Sequence, residues 1–310
     1  MGTFKKRTGI ILPFSGLILV IAVIGILSKG ALFATSNMSI ILDQCYTIVL
    51  LSVGCSFLYA HGGFDLAVGG VYGLSMMLSG MFILQFGGVW IGLPICLAVA
   101  LVCNLLVAVV TVKLRLPAFI TSLCMQFLCR GALVSISSGN LVLPAELSAA
   151  SDPVLKIIVF IVLIAGAYLL MHHTPLGRKN AAIGENPVAA RQSGINTDKT
   201  RILAYIIAAV MIGVAGFFAM CRTRTIATLA GSGYEMNVIV AIVLGGMSLS
   251  GGLRSSVRAP VIGALIVVIM TNGLVLIGLP YIYSNAVIGV VFIVVIILTY
   301  KKNKLGLLPR

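Results

Sequence analysis

Acidic residues are scarce in this chain, with seven Asp and Glu in 310 residues against 21 Lys and Arg. Charged residues of both signs reach only 9%, whereas a soluble domain carries roughly a quarter, so a soluble globular protein is excluded. Nothing of the form GxxxxGK[ST] occurs. Without that loop, whose amides and lysine grip phosphates, the chain is expected to have no ATPase site of its own and not to be an ATP-driven enzyme by itself. The one tryptophan, Trp90, falls near a predicted outer boundary and suits an interfacial anchor. High-affinity sites for small polar ligands usually offer several convergent polar groups, and intramembrane polar groups are sparse here. The seven cysteines lie in or beside apolar segments without CxxC or Cys/His spacing. They read as reduced packing residues, and neither a metal nor a cofactor is expected.

What the chain has is apolar sequence, 60% of it. Runs of about 20 residues with few charges recur along its length, each enough to cross a hydrocarbon core as a helix. The expected fold is an all-α polytopic membrane protein, one transmembrane domain over 1–310, with ten spans near 10–28, 39–60, 69–86, 90–111, 117–138, 154–171, 201–221, 236–250, 259–278 and 281–299. The first run follows Lys5, Lys6 and Arg7 as in a signal peptide, but lacks a small-residue cleavage site and reads as a retained helix.

Ten crossings put both termini on one side. If that side is cytoplasmic, the inner segments hold sixteen of the 21 basic residues: Lys5, Lys6 and Arg7; Lys113 and Arg115; Arg178, Lys179, Arg191, Lys199 and Arg201; Arg254 and Arg258; Lys301, Lys302, Lys304 and Arg310. Lys29, Lys156, Arg222 and Arg224 fall outside and Arg130 within a span, so the positive-inside bias sets the termini in the cytoplasm. Basic residues scattered over short loops form no stripe for nucleic acid.

This orientation places the polar stretch 172–200 on the cytoplasmic face. Within it, GENPVAARQSGI (184–195) encodes a helix over 187–193, with Asn186 as N-cap, Pro187 at the first helical position, Gly194 as the left-handed residue past the end and Ile195 folding back towards Ala190. A helix of about two turns needs a packing partner. It either rests on the membrane surface or docks on another protein.

Four stretches resemble the permease subunits of sugar ABC importers of the ribose, xylose and galactose type: GGFDLAVGGVYG (62–73), LPAFITSLCMQFLCRG (116–131), GRKNAAIGENPVAARQSGI (177–195) and GSGYEMNVIVAIVLGGMSLSGG (231–252). The resemblance spans most of the chain in the family's order. It implies about ten helices in each of two permease subunits, identical or homologous, with cytoplasmic ABC ATPases, an extracytoplasmic sugar-binding protein and residence in the lipid of the cell inner membrane. It also implies that 187–193 is the coupling helix, with Gly184, Asn186, Ala190, Arg191 and Gly194 matching the family's loop, and Glu185 and Pro187 lying between them. Phe64 and Ala67 depart from the smaller aliphatic residue and serine usual there, and GLRSSVRAP (252–260) is more basic than usual.

Candidate pathway or gate residues are Gly63, Asp65, Gly69, Gln126, Arg130 and Asn272, among sparse intramembrane polar groups that include Asn104, Thr121, Ser122 and Thr271. Arg130 either snorkels to the outer headgroups or meets a sugar hydroxyl. Asp65 is an N-cap at the turn into the third span, or a charged contact that changes between transport states. Glycine pairs 62–63, 69–70, 245–246 and 251–252 mark close helix approach, as in GxxxG at Gly69 and Gly73, or an internal duplication. Ser232 to Glu235 reads as a capping box, with Ser232 as N-cap. Arg222 and Arg224 are free to meet an acidic face of a binding protein or to be merely solvated.

The reading is a permease subunit forming a low-affinity conduit for a monosaccharide or small polyol. A nucleoside or autoinducer importer of the same superfamily shares every feature above. A self-powered carrier or channel is the reading from a different class, and it predicts no ATPase partner.

Overall fold

The computed structural model describes residues 2–137, 139–253 and 255–299. Arg254, Lys301, Lys302, Lys304 and Arg310, which enter the orientation argument, lie outside them. The helices run α1 (Gly2–Leu27), α2 (Thr35–Ala60), α3 (Val68–Phe86), α4 (Gly92–Lys113), α5 (Ala118–Ile136), α6 (Pro153–His172), α7 (Pro175–Glu185), α8 (Pro187–Gln192), α9 (Thr197–Thr223), α10 (Tyr234–Leu244), α11 (Arg258–Leu276) and α12 (Tyr281–Thr299). A two-residue ribbon pairs β1 (Leu141–Val142) antiparallel with β2 (Thr225–Ile226).

Among the described residues seven helices are long and apolar enough to cross a membrane: α2, α3, α4 with its leading turn, α5, α6, α9 and α11. The protein is therefore an all-helical polytopic membrane protein. The other three expected spans fall on shorter apolar stretches, Pro13–Leu27, Tyr234–Leu244 and Tyr283–Val294. The expected span 236–250 needs correction, because its helix stops at Leu244. Eleven residues reach only about 16 Å at 1.5 Å per residue, about half of a bilayer core. The reason is packing. Gly245 lies against the Ala259 carbonyl and Gly263 against the Ala241 carbonyl, so α10 and α11 cross backbone to backbone, and Gly246 turns the chain at φ 91°.

The interior is built from α2, α3 and α9, whose most apolar windows are 78%, 72% and 72% buried, while α6 at 17% and α5 at 28% turn apolar faces outward. Large side chains fill the centre, among them Phe57, Tyr59, Tyr205 and Phe217. Small residues let the backbones close in. Gly54 faces Met211 and Ala208, and Gly213 faces Leu97 of α4. Helices in lipid associate through such close packing, because lipid is as apolar as their side chains.

Candidate functional site

Three of the glycine-bearing stretches meet in one place. α2 ends at Ala60, and Gly252 donates its N–H to the Ala60 carbonyl at 3.0 Å. Both sides of this junction use left-handed backbone, at Gly62 (φ 76°), Gly251 (φ 75°) and Gly252 (φ 101°), where a Cβ would be strained. The end of α7 wedges in beside them. A Cβ on Gly184 would strike the Ala60 carbonyl and the Gly252 amide, and Glu185 Oε1 accepts the Leu253 N–H at 2.9 Å. Asn180 Nδ2 adds a bond to the Phe57 carbonyl at 3.3 Å, so α7 is tied to α2 along its length.

From that wedge α8 projects. Asn186 Oδ1 accepts the Val188 and Ala189 N–H groups at 3.0 Å each, with Pro187 at the first helical position. At the other end Ile195 N–H reaches the Ala190 carbonyl and Gly194 N–H the Arg191 carbonyl, both at 3.1 Å, with Gly194 at φ 80°. Those two bonds are a Schellman motif. Ala190 faces inward, 5% exposed, while Pro187, Val188 and Ala189 are exposed. Arg191 donates to Thr197 Oγ1 at 3.2 Å and lies 3.8 Å from Asp198.

A second constellation lies along α3 and α5. Asp65 Oδ1 accepts the Ala67 N–H at 2.8 Å, one step before α3 begins, while Oδ2 is buried with no hydrogen-bond partner. The residue is 1% exposed, and burial pushes its carboxyl up to about 6 although the Ala67 amide opposes the shift. Asp65 is thus not the N-cap of α3, which is Ala67; it makes a turn bond to the Ala67 N–H with one oxygen and leaves the other unspent. Ser122 Oγ accepts the Leu66 N–H at 3.1 Å, and Gln126 Oε1 accepts the Gly70 N–H at 2.6 Å. The Gly70 amide is one that the start of a helix leaves open and the Leu66 amide belongs to the turn before it, and lipid can satisfy neither.

Above them the 226–231 segment lies against α3. Ile226 meets Gly80, Ala230 meets Gly73 and Gly231 meets Gly69, approaches that any side chain at those glycines would block. Gly69 also abuts Glu235. Arg130 Nη1 donates to the Ala230 carbonyl at 2.6 Å and its Nη2 is buried without a partner. The guanidinium is thus bonded to the Ala230 backbone. The expected capping box is shifted by one. Gly233, left-handed at φ 82°, precedes α10 in place of Ser232, and Glu235 Oε1 reaches back to the Gly233 N–H at 3.3 Å. Glycine adopts that conformation without the Cβ penalty a serine would meet. Asn272 Oδ1 is buried and unpartnered, but α11 packs chiefly on α1, α2, α10 and α12 while α5 packs chiefly on α3 and α4, so Asn272 sits apart from Gln126 and Arg130.

Between α8 and the ends of α2, α4 and α9 a cavity of about 750 Å³ opens. It brings Gly63, chosen as a pathway residue, together with Pro187 and Arg191 of the polar loop. His61, Arg115 and Arg201 also line it; the two arginines entered the sequence reading only through the charge count and His61 not at all, since the three lie in separate loops or helix ends. His61 is held below its ordinary value, down to about 3, by burial and by the Arg201 guanidinium. Helix α7 was missed as well, although Thr174 followed by Pro175 is a readable start, and Thr174 Oγ1 accepts the Leu176 N–H at 3.2 Å.

The chain matches the family model described as branched-chain amino acid transport system / permease component over residues 37–296. It is 32% identical to the ribose import permease protein of Escherichia coli (strain K12), covering 93% of this chain and 92% of that one. It is 30% identical to the ribose import permease protein of Bacillus subtilis (strain 168), over 94% and 92%. It is 29% identical to the autoinducer 2 import system permease protein of Photorhabdus laumondii subsp. laumondii, over 91% and 87%. No solved structure matches the chain.

Proposed function

This chain belongs to the branched-chain amino acid transport system / permease component family, and from that premise we propose that it is the membrane-spanning permease subunit of an ATP-binding-cassette importer for a monosaccharide or related small polyol. The whole chain acts as one transmembrane unit in the inner membrane, with ten crossings and both termini in the cytoplasm. Its partners are cytoplasmic ATPases, an external binding protein and a second permease subunit.

The observation that carries the reading is the wedge of Gly184 and Glu185 between the end of α2 and the 251–253 segment. A push on α8 from an ATPase is delivered through α7 to both glycine stretches at once. The 226–231 segment, Arg130 and Gln126 then lie along the route that this push opens or closes. Asp65, Gly63 and Gly69 sit at the bend that must move, and Asn272 contributes from the far side of α2.

The test is reconstitution with the ATPase and binding protein in liposomes. ATP-driven uptake of ribose is expected, and uptake by the chain alone on an imposed ion gradient would reassign it to self-powered carriers. A second substrate reading rests on the autoinducer 2 relative, which is nearly as similar as the ribose ones. Competition between ribose and autoinducer 2 in the same assay separates the two.

A further inference from the structure

The cavity beneath α8 has a chemistry that neither a sugar conduit nor a docking helix requires. About 750 Å³ is in the range of small-molecule sites, and three guanidiniums line it, those of Arg115, Arg191 and Arg201, with Asp198 as the one carboxylate. Asp198 is engaged, lying 3.8 Å from Arg191 and accepting the Thr197 hydroxyl at 3.2 Å. Among the described residues neither Arg115 nor Arg201 has a carboxylate partner. Arg201 Nε and His61 Nε2 are buried polar atoms with no hydrogen-bond partner, and His61 is only 6% exposed.

Burying cationic and imidazole nitrogens unpaired is costly. Here Arg201 Nε and His61 Nε2 are the two such nitrogens, beside the exposed guanidiniums of Arg115 and Arg191, and an anion in the cavity would pair the arginines together. Guanidinium forks match the oxygens of phosphate, and a group with three terminal oxygens and close to two negative charges is the anion that uses three such forks together. Beside the arginines, Thr111, Asn196 and Tyr205 offer the hydroxyl and amide groups that suit the hydroxyls of a sugar.

We propose that this cavity is a binding site for a small phosphate monoester of the sugar-phosphate class, held by Arg115, Arg191 and Arg201, and that its occupancy fixes α8 against the ends of α2, α4 and α9. The consequence is regulatory: a phosphorylated product that accumulates on this side of the membrane sets the position of the helix through which transport is driven. The regulatory part rests on the import reading, and the binding itself does not.

The full chain in nanodiscs, without ATPase, is titrated with ribose 5-phosphate, inorganic phosphate and ribose. Saturable 1:1 binding of ribose 5-phosphate is expected, with ribose failing to compete. Arg115→Gln and Arg201→Gln should each weaken it about tenfold or more, the loss of one charge-assisted hydrogen bond. Arg201→Lys, which keeps the charge but not the fork, should bind in between. Amide exchange across 187–195 should slow on adding ribose 5-phosphate to the parent protein.

Nanodiscs of neutral and of phosphatidylglycerol-containing lipid distinguish the sources of phosphate. Binding of ribose 5-phosphate in both supports the proposal, while no saturable binding in neutral lipid, or binding unchanged in every arginine variant, overturns it. Loss of ATPase co-purification in Arg115→Gln, with no phosphate binding in the parent, would assign the cavity to acidic groups of the partner and also overturn it. Failure of ATP-driven uptake with binding intact would count against the import reading alone.

Discussion

Glu185 Oε1 accepts the backbone N–H of Leu253 at 2.9 Å, joining residues 68 positions apart. Among the described residues it is the one side-chain hydrogen bond between the end of α7 and the segment after α10, and it stands beside the backbone contact of Gly184 with Ala60 and Gly252. The loop is thereby registered on the two glycine stretches by one hydrogen bond and one missing Cβ.

Gly184→Ala should be the most disruptive small change in the loop. Its methyl would enter backbone atoms that cannot swing aside, and overpacking of this kind costs about 1–3 kcal/mol. Gly166→Ala in α6, with open space at its Cβ, is the control and should be neutral or mildly stabilising, since alanine is favoured over glycine in a helix by about 1 kcal/mol. Thermal unfolding in detergent reads both. Equal melting temperatures would mean that the wedge carries no strain-sensitive contact.

Asp65 predicts a pH-dependent stability. Its carboxyl is raised from the ordinary 3.8 to about 6 by burial, so the folded state binds the proton more tightly than the unfolded chain does. The stability present below about pH 4 is lost as pH rises through about 6, a difference of about two pH units or on the order of 3 kcal/mol. Asp65→Asn should abolish that dependence and, above pH 6, be more stable than the parent. If Asp65→Asn also transports normally, a gating role for its charge is removed; if it assembles but fails in uptake, the charge is needed for transport.

Gln126 tests whether a residue of the α5 wall serves α3. Gln126→Leu leaves the Gly70 N–H buried without an acceptor, at a cost of about 1–3 kcal/mol, while Gln126→Glu retains an acceptor oxygen. The Leu variant should melt lower and exchange the Gly70 amide faster, and a Leu variant as stable as the parent would show that water or another group satisfies that amide.

Lys156 of α6 is 8% exposed, bonded to Asp43 of α2 and seated 5.0 Å from the Tyr46 ring centre, with Arg222 of α9 3.9 Å from the second Asp43 oxygen. Asp43→Asn therefore strands the buried Lys156, while the part-exposed Arg222 keeps access to solvent. A fully buried pair broken in this way costs about 3–5 kcal/mol, and the partial exposure of Asp43 should bring the loss to the lower end. Adding Lys156→Met should recover part of it, and a double-mutant cycle on the melting temperatures measures how much.

Much of this molecule is legible locally. Asn186, Pro187 and Gly194 define both ends of α8, because caps are set by bonds within three to five residues. The seven long spans follow from hydropathy in the same way. Helix α7 is less legible: its buried residues Gly177, Asn180 and Ile183 recur every third position, a helical face hidden by polar composition. The early end of α10 did carry a local signal, since Gly246 is left-handed and its N–H and that of Met247 return to the Val243 and Ile242 carbonyls, but apolar residues continuing to Met247 and Leu249 hide the stop.

The sequence by itself determined the class of protein, the family resemblance, the seven long spans and the caps of α8, all of which depend on neighbours along the chain or on composition. Only the tertiary structure decided that Gly184 fits against Ala60 and Gly252, that Gln126 serves Gly70, and that Arg115, Arg191 and Arg201 face one cavity. Each of those joins residues from different helices or loops. What brings them together is which backbones can approach closely enough to bond, and that is a property of packed helices rather than of any one stretch.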